Sequence, residues 1–131
     1  MLRVPYALSV YDNKEIQAVV AVLKEHRTNM GIETKNFEKN IAKAFGKKFG
    51  VMVNSGSSAN FLAIELLNLP PGSEVITPLL TFSTTVAPLI QHRLIPVFAD
   101  VLPGKYIINV NQIEKLITPK TKAVFRDSSV G

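Results

Sequence analysis

The residues with the most chemical promise form one run, Asn54-Ser55-Gly56-Ser57-Ser58-Ala59-Asn60. A short apolar run, Phe49 to Val53, precedes it and a helix-forming stretch follows, so a buried strand should deliver the chain to a helix N-terminus here. Such a junction offers unpaired backbone N–H groups and the positive end of a helix dipole, and two serine hydroxyls add further donors. Gly56 allows the backbone to turn tightly or to let a ligand approach closely. A phosphate suits this arrangement, and so does a serine-rich helix cap that binds nothing. Other phosphate and nucleophile signatures are absent. A P-loop ending in Gly46-Lys47 would need glycine where Ile41 stands, no G-x-G-x-x-G occurs, and Asn60 stands where a G-x-S-x-G elbow starting at Gly56 would need glycine.

A second candidate is the run from Thr77 to Thr85, which also follows a strand-like segment and would share the same sheet edge if both strands are parallel. Phe82 within it could offer a ring face to a flat ligand. Taken by itself, its pattern favours Phe82 in the core with Thr84 capping the next helix. Asp100 closes a strand-like run and reads as a turn or helix cap. His92, with Arg93 beside it, and His26 each end a helix, where a cation complements the dipole. These features assign no catalytic residue.

The elements that must position these runs follow from periodicity. Asp12 and Glu15 have capping-box spacing, and Ile16, Val19, Val20 and Leu23 give a helix with one buried stripe. A second helix runs from about Lys35 to Phe45 and stops at Gly46. The helix after Ser58 is apolar almost all round, through Phe61, Leu62, Ile64, Leu66 and Leu67. Strands are expected at 49–53, 74–77, 95–98 and 121–125, with helices at 84–91 and 110–116. Alternation of strand and helix implies βαβ units and a mainly parallel sheet, an α/β fold. The chain divides into a helical arm, residues 1–48, and the first βαβ units of a larger domain, residues 49–131. The last nine residues read as the opening of a further unit.

Composition narrows the function classes. The 131 residues include no Cys and no Trp, so disulfide scaffolds, Cys-ligated metal and cysteine catalysis are excluded. Two histidines leave little for a metal site. No apolar run reaches the ~18 residues of a membrane span, and Met1 to Val10 lacks the features of a secretory signal, which points to a cytoplasmic protein. The net charge is +5, with lysines concentrated at 35–48 and 115–122. Neither block interleaves aromatics, so solvated helix faces are expected rather than a nucleic-acid groove. There is no low-complexity segment and no internal repeat.

The ordered series of these segments resembles the N-terminal part of the DegT/DnrJ/EryC1/StrS sugar aminotransferase family. It is carried by Val51 to Asn60, Pro71 to Pro78, Thr81 to Thr85 and Pro96 to Val101. Tyr106 to Asn109, Ile117 to Val124, Gly31 and Phe37-Glu38 continue it, so that it spans nearly the whole chain. The Ser-Gly-Ser-Ser-Ala-Asn run and Phe82 to Pro88 are similar especially to the sugar 3-dehydratase branch, which uses His in place of the lysine that usually holds the cofactor.

The resemblance implies fold type I, a three-layer αβα large domain, and pyridoxal phosphate (PLP) or its amine form as cofactor. It implies nucleotide-linked keto-sugars as substrates and a homodimeric assembly. Gly56, Ser57 and Ser58 would hold the cofactor phosphate. Phe82 would stack on the pyridine ring, which reverses the core placement expected from its local pattern. Thr81 and Thr85 would line the substrate pocket, and Gly31 would lie near the nucleotide-sugar entrance. A complete family member is much longer, and the Asp and Lys that make the cofactor work would lie after Gly131. The expectation is therefore an inactive N-terminal fragment of an aminotransferase, with a dehydratase fragment or a non-catalytic phosphate or nucleotide-sugar-binding module as alternatives. Arg126, Asp127 and Ser128 depart from the family pattern, and the first two would be costly at a buried strand end unless exposed or paired.

Overall fold

The computed structural model describes residues 8–126. The chain divides into two compact units, residues 1–52 and 53–131.

The first unit contains helices α1 (Asn13–Lys24) and α2 (Ile32–Ala44). The α1 start has the expected capping box: Asp12 Oδ1 accepts from the Lys14 N–H at 2.7 Å, and Glu15 Oε2 accepts from the Asp12 N–H at 2.8 Å. Gly31 is the N-cap of α2, and after its C-cap Phe45 the chain reverses through Gly46 at φ +61°. The expected buried stripe of α1 is not buried. Ile16, Val19, Val20 and Leu23 are all exposed, because two helices alone cannot enclose an apolar face, and Ala42 is the one buried hydrophobic residue described in this unit. The strand expected at 49–53 is also absent. This segment has no ladder partner among the described residues, and Phe49 and Val51 are exposed. It is held instead by Glu38, whose Oε1 accepts from the Met52 N–H at 2.8 Å. Gly50 is required here, since a Cβ would lie 2.4 Å from the Glu38 carbonyl oxygen.

In the second unit the order is α3 (Gly56–Leu67), β1 (Glu74–Pro78), α4 (Ser83–Gln91), β2 (Ile95–Ala99), α5 (Val110–Leu116) and β3 (Thr121–Val124). The sheet is parallel, in the order β2-β1-β3. The central strand β1 is buried from Val75 to Pro78, as a strand covered on both faces must be. Side chains alternate along it, so its two faces meet different helices. Val75 packs with Ile64 of α3, Leu89 of α4 and Leu94. Ile76 packs with Ala99, Ile108 and the α5 residues Ile113 and Leu116. Helices therefore cover both faces of the sheet, a three-layer α/β arrangement. The edge of β3 is tied down by Glu74, whose carboxylate accepts from the hydroxyls of Thr118 and Thr121. Arg126 is exposed, which removes the cost foreseen for a buried cation. Asp127 and Ser128 lie outside the described residues.

Candidate functional site

The strongest sequence motif folds as a helix start. Ser55 is extended (φ −162°, ψ 159°) and its Oγ accepts from the Ser58 N–H at 3.1 Å, while its carbonyl accepts from the Ala59 N–H at 3.0 Å. The N–H groups of Gly56 and Ser57 are the first two of the helix and have no carbonyl a turn earlier to bond. No acidic side chain lies in this first turn. Two N–H donors and the positive dipole end thus face outward without a competing carboxylate.

The two hydroxyls differ. The Ser57 side chain is exposed. Ser58 Oγ donates to Asn54 Oδ1 at 2.6 Å and lies 3.1 Å from Ser55 Oγ. Both Ser58 donors, N–H and O–H, are therefore committed to the cap. Gly56 has no positive φ, and a Cβ there would meet no atom within 4 Å. Neither the local turn nor the chain's own packing demands glycine at this position. The outward N–H pair and the open approach at Gly56 fit a phosphate.

The second motif follows β1. Leu79 extends the strand pairing through its N–H to the Ala99 carbonyl at 2.8 Å. Phe82 is the N-cap residue of α4, without a side-chain cap, and is 60% exposed. The local-pattern expectation of a core Phe82 with Thr84 as cap is thus overturned: the helix starts at Ser83, and the ring stays outside. Thr81 Oγ1 donates to Thr85 Oγ1 at 3.1 Å, and Thr85 is fully buried. Thr85 is thus anchored beneath Thr81, which is less buried.

One side chain joins the two motifs. Pro88 lies inside α4 and cannot donate to the carbonyl of Thr84, four residues earlier. Asn60 Nδ2 of α3 donates to that carbonyl at 3.4 Å. The starts of α3 and α4 are thereby brought together, with Gly56 and Ser57 on one and Phe82 on the other. Sequence reasoning gave Asn60 no role. The available signal was a helical proline leaving one carbonyl without its partner.

At the other end of α4, His92 Nδ1 lies 2.7 Å from the Pro88 carbonyl and Nε2 lies 2.5 Å from Glu65 Oε2. Both neighbours accept, so the doubly protonated ring is favoured. The Pro88 carbonyl first, and the Glu65 carboxylate next, raise the His92 pKa above the ordinary histidine value. The ring also lies 4.8 Å from that of Phe61. His92 is a helix-terminal clamp, as its position in the sequence suggested. Asp100 likewise closes a turn, its Oδ1 accepting from the Val101 N–H at 2.7 Å.

Gly31 belongs to the first unit, where with Asn29 and Thr28 it borders a cavity of about 700 Å³ between the end of α1 and the start of α2. Among the described residues no three acidic or histidine side chains gather in a metal-binding group, and no helix is long and apolar enough to cross a membrane.

Comparison with known proteins places these features in context. Residues 10–131 match the family model described as the DegT/DnrJ/EryC1/StrS aminotransferase family. The GDP-4-keto-6-deoxy-D-mannose 3-dehydratase of Yersinia pseudotuberculosis is 36% identical over all of this chain and 35% of its own length. The dTDP-4-dehydro-2,3,6-trideoxy-D-glucose 4-aminotransferase of Saccharopolyspora spinosa is 31% identical over 88% of this chain and 30% of its own. The E. coli GDP-4-keto-6-deoxy-D-mannose-3-dehydratase, solved with bound hydrated PLP, superposes with a TM-score of 0.87 at 37% identity, over 95% of this chain and 33% of that one. The chain spans about a third of the length of the relatives it matches.

Proposed function

The chain belongs to the DegT/DnrJ/EryC1/StrS aminotransferase family, and from that premise we propose that it carries the phosphate-anchoring part of a PLP site acting on a nucleotide-linked keto-sugar. The observation that carries this reading is the start of α3: two outward N–H groups, Gly56 and Ser57, at a positive helix end with no acidic residue in the turn. The Ser57 hydroxyl adds a third donor, and Ser58 holds the turn in shape through Ser55 and Asn54. Phe82 supplies an exposed aromatic face at the start of α4, the helix that Asn60 ties to α3, suited to stack against a flat heterocycle. Thr81 borders that face, and the family resemblance assigns Gly31, in the other unit, to the nucleotide-sugar entrance. When bound, PLP supplies an electron sink for charge developing on the sugar; the residues of this chain bind and orient it.

Of the two branches, the reading favours 3-dehydration over amination. The dehydratase relative is 36% identical and the aminotransferase 31%. The sugar would be a 4-keto sugar linked to a nucleoside diphosphate, handled in the cytoplasm by a homo-oligomer. Residues 1–131 alone are expected to turn over no substrate. Reading the source DNA after codon 131 decides the branch: His at the cofactor-holding position supports the dehydratase, Lys the aminotransferase, and an immediate stop codon removes both in favour of a binding module.

The phosphate assignment is tested by equilibrium dialysis of the chain against PLP and against pyridoxal, which lacks the phosphate. PLP is expected to bind at least about tenfold more tightly, the size of a charge-assisted contact. Equal affinities, or no binding of PLP, overturn it.

A further inference from the structure

We propose that Thr85 is a positioning residue that holds the ring of Phe82 in the attitude a flat cofactor needs; the proposal rests on the PLP reading above. Phe82 is 60% exposed, so core packing does not fix its ring. The ring must take its attitude from the backbone at 81 and 82. Both residues are anchored to the same partner. The Thr85 N–H donates to the Phe82 carbonyl at 2.9 Å, and Thr85 Oγ1 accepts from Thr81 Oγ1 at 3.1 Å.

The geometry differs from ordinary threonine behaviour in a helix. A helical threonine commonly bonds the carbonyl four residues earlier, which leaves the preceding loop unaffected. Here the partner four residues earlier is the hydroxyl of Thr81, which lies outside α4. The bond therefore ties the loop to the helix. Thr85 is itself 0% exposed, on the α4 face that also buries Pro88 and Leu89. It is a fixed reference, anchored in the packed layer over β1. Its bonds to Thr81 and Phe82 are the route by which this buried residue reaches the exposed ring. A binding residue gains precision when buried neighbours lock its support.

The absence of tryptophan from the chain allows a clean test. F82W places a single indole at the proposed stacking position. Three second substitutions are made in that background: T85V, which is nearly isosteric and removes the hydroxyl; T85S, which keeps it; and T81V, which removes the same bond from the less buried side. Indole anisotropy and quenching by added PLP are measured for each. T85V and T81V are expected to lower the anisotropy and to weaken PLP quenching about three- to tenfold, the range one hydrogen bond commands. T85S is expected to restore both. Unchanged anisotropy in T81V and T85V overturns the proposal, as does a T85S variant that fails as T85V does, since the methyl group rather than the hydroxyl would then matter. If F82W alone shows no quenching by PLP, the cofactor reading falls, and anisotropy in the same variants still decides whether Thr85 orders the ring.

Discussion

Thr77 carries a fully buried hydroxyl with no hydrogen-bond partner among the described residues. Burying such a group without a partner costs free energy that an apolar isostere avoids. Thr77→Val keeps both the shape and the β-branched preference of β1. It should stabilise the protein by about 1 kcal/mol, read as a higher urea midpoint. Asp12→Ala should do the opposite, costing about 1 kcal/mol through loss of the α1 cap. The two residues also differ in how far the sequence reveals them. Asp12 was legible because its partner Glu15 stands three residues away, and the Ser55 cap was legible for the same local reason. The Asn60 contact spans 24 residues and depends on a carbonyl released by Pro88, so no local spacing announces it.

At the scale of elements, polar contacts that join α3 to α4 among the described residues include Asn60 to the Thr84 carbonyl and Glu65 to His92. The second has a pH dependence of definite sign. The folded His92 pKa is raised, by the Pro88 carbonyl and then by Glu65. Its stabilisation is complete below the unfolded value of about 6.5 and fades as pH rises through the higher folded value. Thermal midpoints should therefore fall across that window, and H92Q should flatten the slope. A slope that persists in H92Q places the titration elsewhere. Periodicity revealed most elements, because helices and buried strands declare themselves within a few residues. It failed at 49–53, where composition resembled a strand. A strand exists only with a ladder partner, and that segment has none among the described residues.

At the scale of the whole molecule, few of the described hydrophobic residues are buried. Its two core clusters contain Ile64, Val75, Leu89 and Leu94 on one face of β1, and Ile76, Ala99 and Ile108 on the other. Val19, Leu23, Phe37, Phe45, Phe49 and Leu66 remain exposed. Exposed apolar area of this extent drives association. The chain produced alone should self-associate as concentration rises, measured by light scattering, and a monomer at high concentration would contradict this. The α/β class and parallel sheet were legible from the alternation of elements. The exposure was legible only through the resemblance to a longer family, since a helix pattern by itself records which face seeks cover and not whether the cover is present.

The position of β1 has a consequence for how the protein is made. Among the described residues it is the first strand in sequence and the middle strand of the sheet, pairing with β2 at Glu74↔Ile95 and with β3 at Glu74↔Thr121. Its second edge is therefore completed only by residues 47 positions downstream (121 − 74). During translation the strand leaves the ribosome early and keeps an open edge until β3 emerges. Parallel pairing over such separations is slow, and an open edge in the interval invites pairing with other chains. Nascent chains arrested before Thr121 should accordingly bind chaperones and resist native folding, whereas chains arrested with β3 clear of the exit tunnel should be protected from protease along β1.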